Sequence, residues 1–210
     1  MTLPDSPRWV EANGIAGDPA HWRAELGRGG YALGHDAAKL IVIVGEPEAK
    51  ALAALVVRHP QHVLLLENPA KAPRPAQRAI LHTLPDPDAL PDYEGAVPLP
   101  VDAALPASLE VELTWARTRA TIWTAYVDGA PACFAYAPWR SAALFDVSVD
   151  TLPSARQLGL ATITAAAMIR DERAQGREPV WGADEGNAAS LRLAARLGFV
   201  ATDEIWVCAP

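Results

Sequence analysis

The stretch VDTLPSARQLGLAT, residues 149–162, changes from the periodicity of a strand to that of a helix. Up to Thr151 the pattern is typical of a β-strand. From Gln157 the apolar residues recur with the spacing of one helical face, until Gly176 ends the pattern. The sequence therefore predicts a strand, a loop and a long amphipathic helix whose apolar face holds Leu158, Ala161, Thr162, Ala165, Met168 and Ile169.

The loop between these two elements favours a bound anion such as a pyrophosphate. A helix start presents main-chain N–H groups without intrahelical partners, and Gly159 allows a ligand to approach that backbone closely. Arg156 adds a charged donor at the same place. An ordinary helix start with an exposed arginine and a turn glycine is the alternative, because Arg-x-x-Gly-x-Ala fixes few positions.

Strands and helices alternate through the rest of the C-terminal half. Asp128-Gly129 is a dipeptide typical of a tight hairpin, so we expect strands over 121–127 and 132–137 to pair. A helix over 188–197 has Asn187 at its N-cap position. The other predicted elements are a helix over 109–117 and strands over 143–151, 179–183 and 199–208. This order predicts an α/β fold with a mixed, mostly antiparallel central sheet flanked by helices.

The first 104 residues predict a smaller α/β subdomain that ends in a proline-rich connector. The expected elements are helices over 20–26 and 47–58 and strands over 39–44 and 62–66. Nine prolines fall between Pro69 and Pro106, so this stretch predicts an extended connector with one helix over 76–82. We therefore divide the chain into residues 1–104 and 105–210, and no internal repeat is visible.

The charge of the chain restricts its partners. Its 18 Lys and Arg against 25 Asp and Glu give a formal net charge of −7, which disfavours a nucleic-acid partner. Seven acids and no bases lie between Leu84 and Leu113. Like-charged runs of this kind are usually solvated linkers, and a connector that lines the acceptor site and attracts a positively charged amine is the alternative.

Cysteine content and hydropathy indicate the compartment. Cys133 and Cys208 are too few for a disulfide framework, and free thiols fit a reducing compartment. No apolar stretch approaches the ~18 residues of a membrane-spanning helix. Pro4, Asp5 and Pro7 stand where a signal peptide would have a basic and then an apolar segment. The sequence therefore predicts a cytoplasmic protein with no membrane partner, and leaves the oligomeric state open.

Two segments resemble the GNAT N-acetyltransferase superfamily. Residues 149–162 look like the strand, loop and helix that bind acetyl-CoA in that family, and NAASLRLAARLGFV, residues 187–200, looks like its following helix and Leu-Gly-Phe exit. The resemblance covers about residues 105–208, and the N-terminal α/β extension is similar to that of the subgroup related to zwittermicin-resistance acetyltransferases. It implies an acyl-CoA N-acyltransferase fold. It also implies acetyl transfer from acetyl-CoA to the amine of a small molecule or peptide, by direct attack.

The resemblance also assigns residues to the cofactor. Val149 and Thr151 would pair with the pantetheine arm, as an extended amide chain pairs with a free strand edge. Asn187 and Ser190 match positions near the pantetheine and the acetyl end, with a helix cap and an ordinary first-turn residue as alternatives. The pyrophosphate would lie on the main-chain N–H groups of the loop and helix start, at Arg156, Gln157, Leu158, Gly159, Leu160, Ala161 and Thr162.

Two positions depart from the family and put catalysis in question. Ala194 stands where many members carry a tyrosine acid, and Gly182 stands where some carry a glutamate base. Neither side chain transfers a proton, so a module that binds CoA or a partner without catalysis is the alternative to an enzyme.

Other groups are candidates for proton transfer. Asp146, on the strand face opposite to Val147 and Val149, is the nearest remaining candidate for the base. Asp184 and Glu185, after the next strand, are its alternatives. A tyrosine that faces the cleft, Tyr126 or Tyr136, would supply the acid, and water would fill either role.

Two further motifs predict no site. Residues 27–32 superficially fit a dinucleotide fingerprint, but such a fingerprint follows a strand and opens a helix, whereas here a helix is predicted before it. We therefore expect a glycine-rich turn. His59 and His62 have a metal-like spacing, but no third ligand is evident nearby and Pro60 breaks any helix between them, so no metal is predicted.

Overall fold

A computed structural model of the chain describes residues 3–27, 29–86, 88, 90 and 94–210. Parts of the predicted connector, residues 87, 89 and 91–93, lie outside the described residues, as does Arg28 of the glycine-rich turn. The helices are α1 (Val10–Ala16), α2 (Ala49–Arg58), α3 (Glu110–Arg117), α4 (Leu160–Ala174) and α5 (Ala188–Arg196). The described part of the chain has no helix that is both long and apolar enough to span a membrane.

The strands of the described residues form two sheets. The larger sheet has the order β1-β2-β3-β4-β12-β5-β11-β9, and the smaller has the order β10-β8-β7-β6. Their bounds are β1 (Trp22–Glu25), β2 (Gly29–His35), β3 (Leu40–Glu46), β4 (Val63–Leu66), β5 (Gln77–Thr83), β6 (Ala96–Pro98), β7 (Trp123–Val127), β8 (Ala130–Tyr136), β9 (Leu144–Asp146), β10 (Ser148–Thr151), β11 (Glu178–Asp184) and β12 (Val200–Cys208).

The fold class that the sequence predicts is confirmed. The pairs β3/β4 and β9/β11 are parallel, and the other ladders among the described strands are antiparallel. Asp128 and Gly129 have φ angles of 50° and 78°, as a tight hairpin between β7 and β8 requires. The structure is thus a mixed, mostly antiparallel α/β fold flanked by helices.

Two predicted N-terminal helices are wrong, because both segments are strands. The segment 20–26 forms β1, which pairs with β2 along its whole length. The segment 76–82 forms most of β5, which lies between β11 and β12 and pairs with both. Pairing on two sides and burial override local helix propensity at β5.

The glycine-rich turn that the sequence predicts is confirmed, although a strand and not a helix precedes it. Leu26 N–H donates to the Gly30 carbonyl at 2.9 Å, and Gly27 has a φ of 100° that favours glycine. The next element is β2, so the helix that a dinucleotide fingerprint needs is not there.

The chain contains a structural repeat that is not visible in its sequence. The first repeat runs α1-β1-β2-β3-α2-β4-β5, and the second runs α3-β7-β8-β9/β10-α4-β11-α5-β12. In each, a helix and antiparallel strands precede a helical crossover to a parallel strand, and a last antiparallel strand follows. A short 3-10 turn, Pro69–Lys71, stands in the first repeat where the second has α5.

The two repeats exchange their last strands. β12 of the second repeat pairs with β4 of the first, and β5 of the first pairs with β11 of the second. β5 and β12 then pair with each other at the centre of the larger sheet. The proposed division of the chain at residue 105 stays a prediction, and strands from both sides of it interleave in this sheet.

Each face of the sheets carries helices from both repeats. Leu52 and Leu55 of α2 pack in a buried cluster over β2, β3 and β4, and Met168 and Ile169 of α4 pack in another over β8, β9 and β11. The opposite face carries α1, whose buried Ile15 packs with residues of β2, β3 and β4. The crossover helices therefore lie on one face and the first helix of the first repeat lies on the other.

Aromatic rings join the repeats on the α1 face. Trp139 is 4% exposed, and its ring centroid lies 5.2 Å from that of Trp115 on α3 and 5.5 Å from that of His35 at the end of β2. The Arg119 guanidinium lies 4.6 Å from the centre of the Trp139 ring and forms an ion pair with Asp18. This cluster buries a large apolar area between segments that are far apart in the sequence.

We expect Trp139→Ala to lower the free energy of unfolding by about 3–5 kcal/mol, because it empties a large buried volume at the junction of the repeats. Urea denaturation followed by circular dichroism measures this change. The matched control is Val57→Ala, at a residue that is 80% exposed, which we expect to stay within about 0.5 kcal/mol of the parent. An equally small effect of Trp139→Ala would show that the ring cluster does not stabilise the junction.

Candidate active site

The predicted strand over 143–151 is two strands, and their separation opens a fork in the molecule. β9 pairs with β11 as far as Asp146, opposite Val180, and Val147 N–H donates to the Val180 carbonyl at 3.0 Å. Beyond this bond β10 pairs with β8 in one sheet, while β11 continues beside β5 in the other. Among the described residues, the facing edges of β10 and β11 therefore share no ladder.

The main-chain groups of Val149 and Thr151 point into this fork. Val147 N–H points toward β11, whereas Leu152 N–H donates to the Ala132 carbonyl of β8 at 2.9 Å. The main-chain N–H and C=O groups of successive residues point alternately to the two sides of a strand. Every second residue after Val147 therefore directs these groups toward the fork. The two positions that the sequence predicts for the pantetheine thus lie on its open edge.

The loop after β10 presents a run of free N–H groups. A 3-10 turn, Pro153–Ala155, leads to Gln157 and Gly159, whose φ angles are 66° and 80°, and α4 begins at Leu160 rather than at the predicted Gln157. The described residues provide no hydrogen-bond acceptor for the N–H groups of residues 157–161. Thr162 differs, because its N–H donates to the Gly159 carbonyl at 3.1 Å.

This loop has the properties of an anion site. Residues with a left-handed backbone, here Gln157 and Gly159, turn the main-chain N–H groups of neighbouring residues toward one concave surface, which is called a nest. The start of α4 adds the positive end of a helix dipole. A Cβ built on Gly159 would meet nothing within 4 Å, so a ligand has free access to that backbone. Arg156 is exposed and pairs with no acid among the described residues. Leu158 is also exposed rather than on the apolar face of α4.

Asn187 and Ser190 have structural partners at the start of α5. Asn187 Oδ1 accepts a hydrogen bond from Ser190 N–H at 3.1 Å, so the predicted N-cap is confirmed. Ser190 Oγ accepts from Trp181 Nε1 at 2.9 Å and keeps its own hydroxyl hydrogen for another acceptor. Their predicted contacts with a cofactor stay predictions.

Asp146 lies where the fork begins and has a carboxyl neighbour from the first repeat. Burial raises the pKa of Asp146 to about 7. α1 packs against β9, and burial together with the charge of Asp146 raises the pKa of Glu11 to about 8. Glu11 Oε2 is buried without a hydrogen-bond partner among the described residues. The two carboxyls form a coupled pair that holds a proton near neutral pH.

Sequence reasoning missed Glu11 because no element was predicted for residues 7–16, and no motif links Glu11 to Asp146. The 3-10 turn Pro7–Trp9 leads directly into α1, and Val10, Ala12 and Ile15 of that helix are buried. Their spacing is not that of a single helical face, so the sequence carries no amphipathic signal for α1.

The tyrosine candidates for the acid differ in position. Tyr136 is buried and its hydroxyl donates to Asp150 Oδ2 at 3.0 Å. Burial and the charges of Asp150, Glu112 and Asp146 raise the pKa of Tyr136 far above its ordinary value. Tyr126 is 37% exposed on β7. The structure thus ties Tyr136 to a cluster of carboxyls beside the fork.

The alternative bases lie farther along β11. Glu185 Oε2 accepts a hydrogen bond from Arg78 Nε at 3.1 Å, and the Asp184 carbonyl accepts from Asn187 N–H at 2.8 Å. Ala194 is fully buried, whereas Gly182 is exposed, with Leu81 Cδ2 at 3.5 Å from a built Cβ. No side chain at either family position replaces the usual acid or base.

Comparison with known proteins agrees with this architecture. The family model for GNAT acetyltransferase matches residues 124–207, which contain the fork, the loop and α5. No curated protein sequence matches the chain significantly.

Solved structures share the fold over nearly the whole chain. A GNAT-family protein from Novosphingobium aromaticivorans has 21% identity and a TM-score of 0.69, with 97% of this chain and 95% of that chain covered. A GCN5-related N-acetyltransferase-like protein from Streptococcus suis has 16% identity and a TM-score of 0.61, covering 96% and 97%. A tandem GNAT protein from the clavulanic acid biosynthesis pathway has 16% identity and a TM-score of 0.54, covering 96% and 94%.

These identities are low and show the fold alone, and the family match covers residues 124–207, which are less than half of the chain. The resemblance of the N-terminal extension to the zwittermicin-resistance subgroup has no support among them and stays a prediction. Residues 124–207 match the GNAT acetyltransferase family, and they lie in a chain that has the fold of solved GNAT structures throughout.

Proposed function

We propose that the chain is an acyl-CoA-dependent N-acyltransferase that transfers acetyl from acetyl-CoA to an amine of a small molecule or peptide. The observation that carries this proposal is the fork between β10 and β11, followed by a loop of free N–H groups within the segment that matches the GNAT family. A cytoplasmic location is part of the proposal, supported by two cysteines that are buried and unpaired.

The chain would hold the cofactor along the fork and its loop. Val149 and Thr151 offer main-chain donors and acceptors to the pantetheine amides, which would lie beside β10 as an added strand. The N–H groups of residues 157–161 and the Arg156 guanidinium would bind the pyrophosphate, and Gly159 leaves room for it. Thr162, Asn187 and Ser190 would border the same path.

Bound acetyl-CoA supplies a thioester carbonyl that a neutral amine attacks. An amine that arrives as an ammonium first loses a proton, and the pair of Asp146 and Glu11, where the fork begins, is the proton acceptor that we assign. One carboxylate of the pair takes this proton directly or through water. The proton that the attacking nitrogen loses as the amide forms would pass through water to the departing thiolate, because Ala194 has no acidic group.

Asp146→Asn tests the base. We expect it to lower kcat by about 10²-fold or more with acetyl-CoA affinity unchanged, because a positioned base contributes about that much. Asp184→Asn is the matched control and should keep the parent activity. Equal activity of Asp146→Asn and the parent would show that another group takes the proton.

Glu11→Gln tests the coupling of the two carboxyls. Burial raises the pKa of Asp146, whereas the charge of Asp146 adds to the raised pKa of Glu11, so the rise of kcat/KM near pH 7 should persist in Glu11→Gln. The raised carboxyl pKa values also contribute folding free energy that is fully present below the ordinary pKa values of the two groups and is lost as pH rises through about 7 to 8. Thermal unfolding between pH 5 and 9 should therefore show a weaker pH dependence for Glu11→Gln than for the parent. An unchanged pH dependence of unfolding would contradict the coupling.

Arg156→Glu tests the cofactor loop. It replaces a phosphate-facing cation with an anion, so we expect acetyl-CoA affinity to fall at least about 10-fold. Isothermal titration calorimetry measures the affinity. Arg196→Glu, an exposed arginine in the last turn of α5, makes the same charge change and should bind like the parent. Equal affinity of the parent and Arg156→Glu would show that this loop does not hold the pyrophosphate.

The acceptor that we propose is cationic. Glu112, Asp146 and Asp150 lie close enough to Tyr136 for their charges to raise its pKa, and in their ionised forms these carboxyls would attract a cation to the fork. A panel of diamines and matched neutral monoamines should show higher kcat/KM for the diamines, and this preference should shrink as salt is added. An equal or reversed preference would exclude a cationic acceptor.

The rival function is a module that binds CoA without catalysis, which Gly182 and Ala194 favour. Acetyl-CoA binding without transfer to any amine of the panel would support it. Absence of binding at millimolar acetyl-CoA would contradict both functions.

A further inference from the structure

Three side chains with metal-binding groups meet at one corner of the first repeat. Asp36 follows β2, His59 follows α2, and His62 directly precedes β4. The sequence predicts no third ligand for the two histidines, and the structure corrects this, because Asp36 is the third group. It is remote from the histidines in the sequence and reaches them through the pairing of β2 with β3 and of β3 with β4.

The distances between the three groups suit one small cation. Their ligand atoms all lie within 4.8 Å of one another. Asp36 Oδ1 lies 3.1 Å from His62 Nε2 and 3.7 Å from His59 Nδ1. Two ligands of a tetrahedral zinc ion, each bonded at about 2.0–2.2 Å, stand about 3.4 Å apart, so the observed separations bracket the required one.

The surroundings hold the three groups in place. Trp22 Nε1 donates to Asp36 Oδ1 at 2.8 Å, and the Trp22 ring stacks on His59 with centroids 4.6 Å apart. His62 is buried, and Arg74 donates to its main-chain carbonyl. His62 Nδ1 has no partner among the described residues, so Nε2 is the nitrogen that faces the other two groups. Donors that hydrogen-bond to a ligand side chain, and rings that stack on it, orient metal ligands in this way.

The corresponding corner of the second repeat is closed by ion pairs. Arg140 follows β8 and donates to Glu172 of α4 at 2.9 Å, and Arg177, before β11, donates to the same carboxylate at 3.0 Å. Although burial opposes it, these arginines lower the pKa of Glu172 below its ordinary value. Complementary charges therefore hold that corner without any ion. In the first repeat one carboxylate faces two imidazoles, and a bound cation would allow all three groups to stabilise this corner.

We propose that Asp36, His59 and His62 form a binding site for a divalent transition-metal ion, with Zn²⁺ as the best-fitting ion. Two imidazoles and one carboxylate leave a fourth position, and the Asp36 side chain is 68% exposed, so water completes the tetrahedron. The ion joins the turn after β2 to the loop between α2 and β4. The ion lies at the C-terminal end of α2, the crossover helix of the first repeat. The proposed cofactor loop lies at the N-terminal end of α4, the crossover helix of the second repeat. The role of the ion is therefore structural and independent of acyl transfer.

Calorimetric titration of tag-free, metal-stripped protein with ZnCl₂ tests the site directly. We expect one Zn²⁺ per chain and a rise in Tm of about 5 °C at an ion concentration of about 100 times Kd. His59→Ala and Asp36→Asn should each abolish both effects and leave the Tm of the metal-free protein nearly unchanged. His21→Ala, an exposed histidine outside the cluster, is the matched control and should bind like the parent. Trp22→Phe keeps the ring and removes the donor, so it should weaken binding about 10-fold.

Substitution by Co²⁺ identifies the ligand atoms. We expect weak visible bands of a nitrogen and oxygen site, without a thiolate charge-transfer band. Three results would overturn the proposal: no Zn²⁺ binding by the parent, equal binding by the parent, His59→Ala and Asp36→Asn, or a thiolate band that assigns the ion to a cysteine. None of these measurements uses an acyl donor, so their outcome is separate from that of the acyltransferase proposal.

Discussion

The antiparallel pairing of β5 with β12 is the constraint on which the rest of the architecture depends. Each strand comes from one repeat and is flanked on its other side by the parallel strand of the other repeat. The exchange makes one continuous sheet from two units that would otherwise each have an open edge. It also sets α1 of the first repeat against β9 of the second, and only this arrangement brings Glu11 to Asp146.

The two repeats share a topology but differ in the connection that leads to their crossover helix. In the second, residues 152–159 form a loop with free N–H groups before α4. In the first, β3 ends at Glu46 and α2 begins at Ala49, so Pro47 and Glu48 alone join them. The carboxylates of Glu46 and Glu48 oppose a phosphate at that helix start. One repeat therefore has a helix start that suits a bound anion and the other does not, as similar folds with different sites often do.

Sequence reasoning succeeded where local pattern and tertiary context agree. The hairpin at Asp128-Gly129, the helix after Gly159 and the cap at Asn187 each rest on short-range chemistry, and the structure has all three. It failed at β5, because a short segment that is buried by partners on both sides takes its structure from them rather than from its propensity. The contacts of Glu11 with Asp146, and of Asp36 with two histidines, join residues remote in sequence and follow from strand order, which one sequence does not reveal.

The central position of β12 has a consequence for biosynthesis. Residues 200–208 leave the ribosome long after β4 and β5, so during synthesis both of these strands have an edge without its final partner. The first repeat cannot complete its sheet before the second is almost entirely made. Its apolar strands, among them Val63–Leu66, are candidates for transient chaperone binding in that interval. The exchange of strands that unites the two repeats thus also delays completion of the first repeat's sheet until β12 has been made.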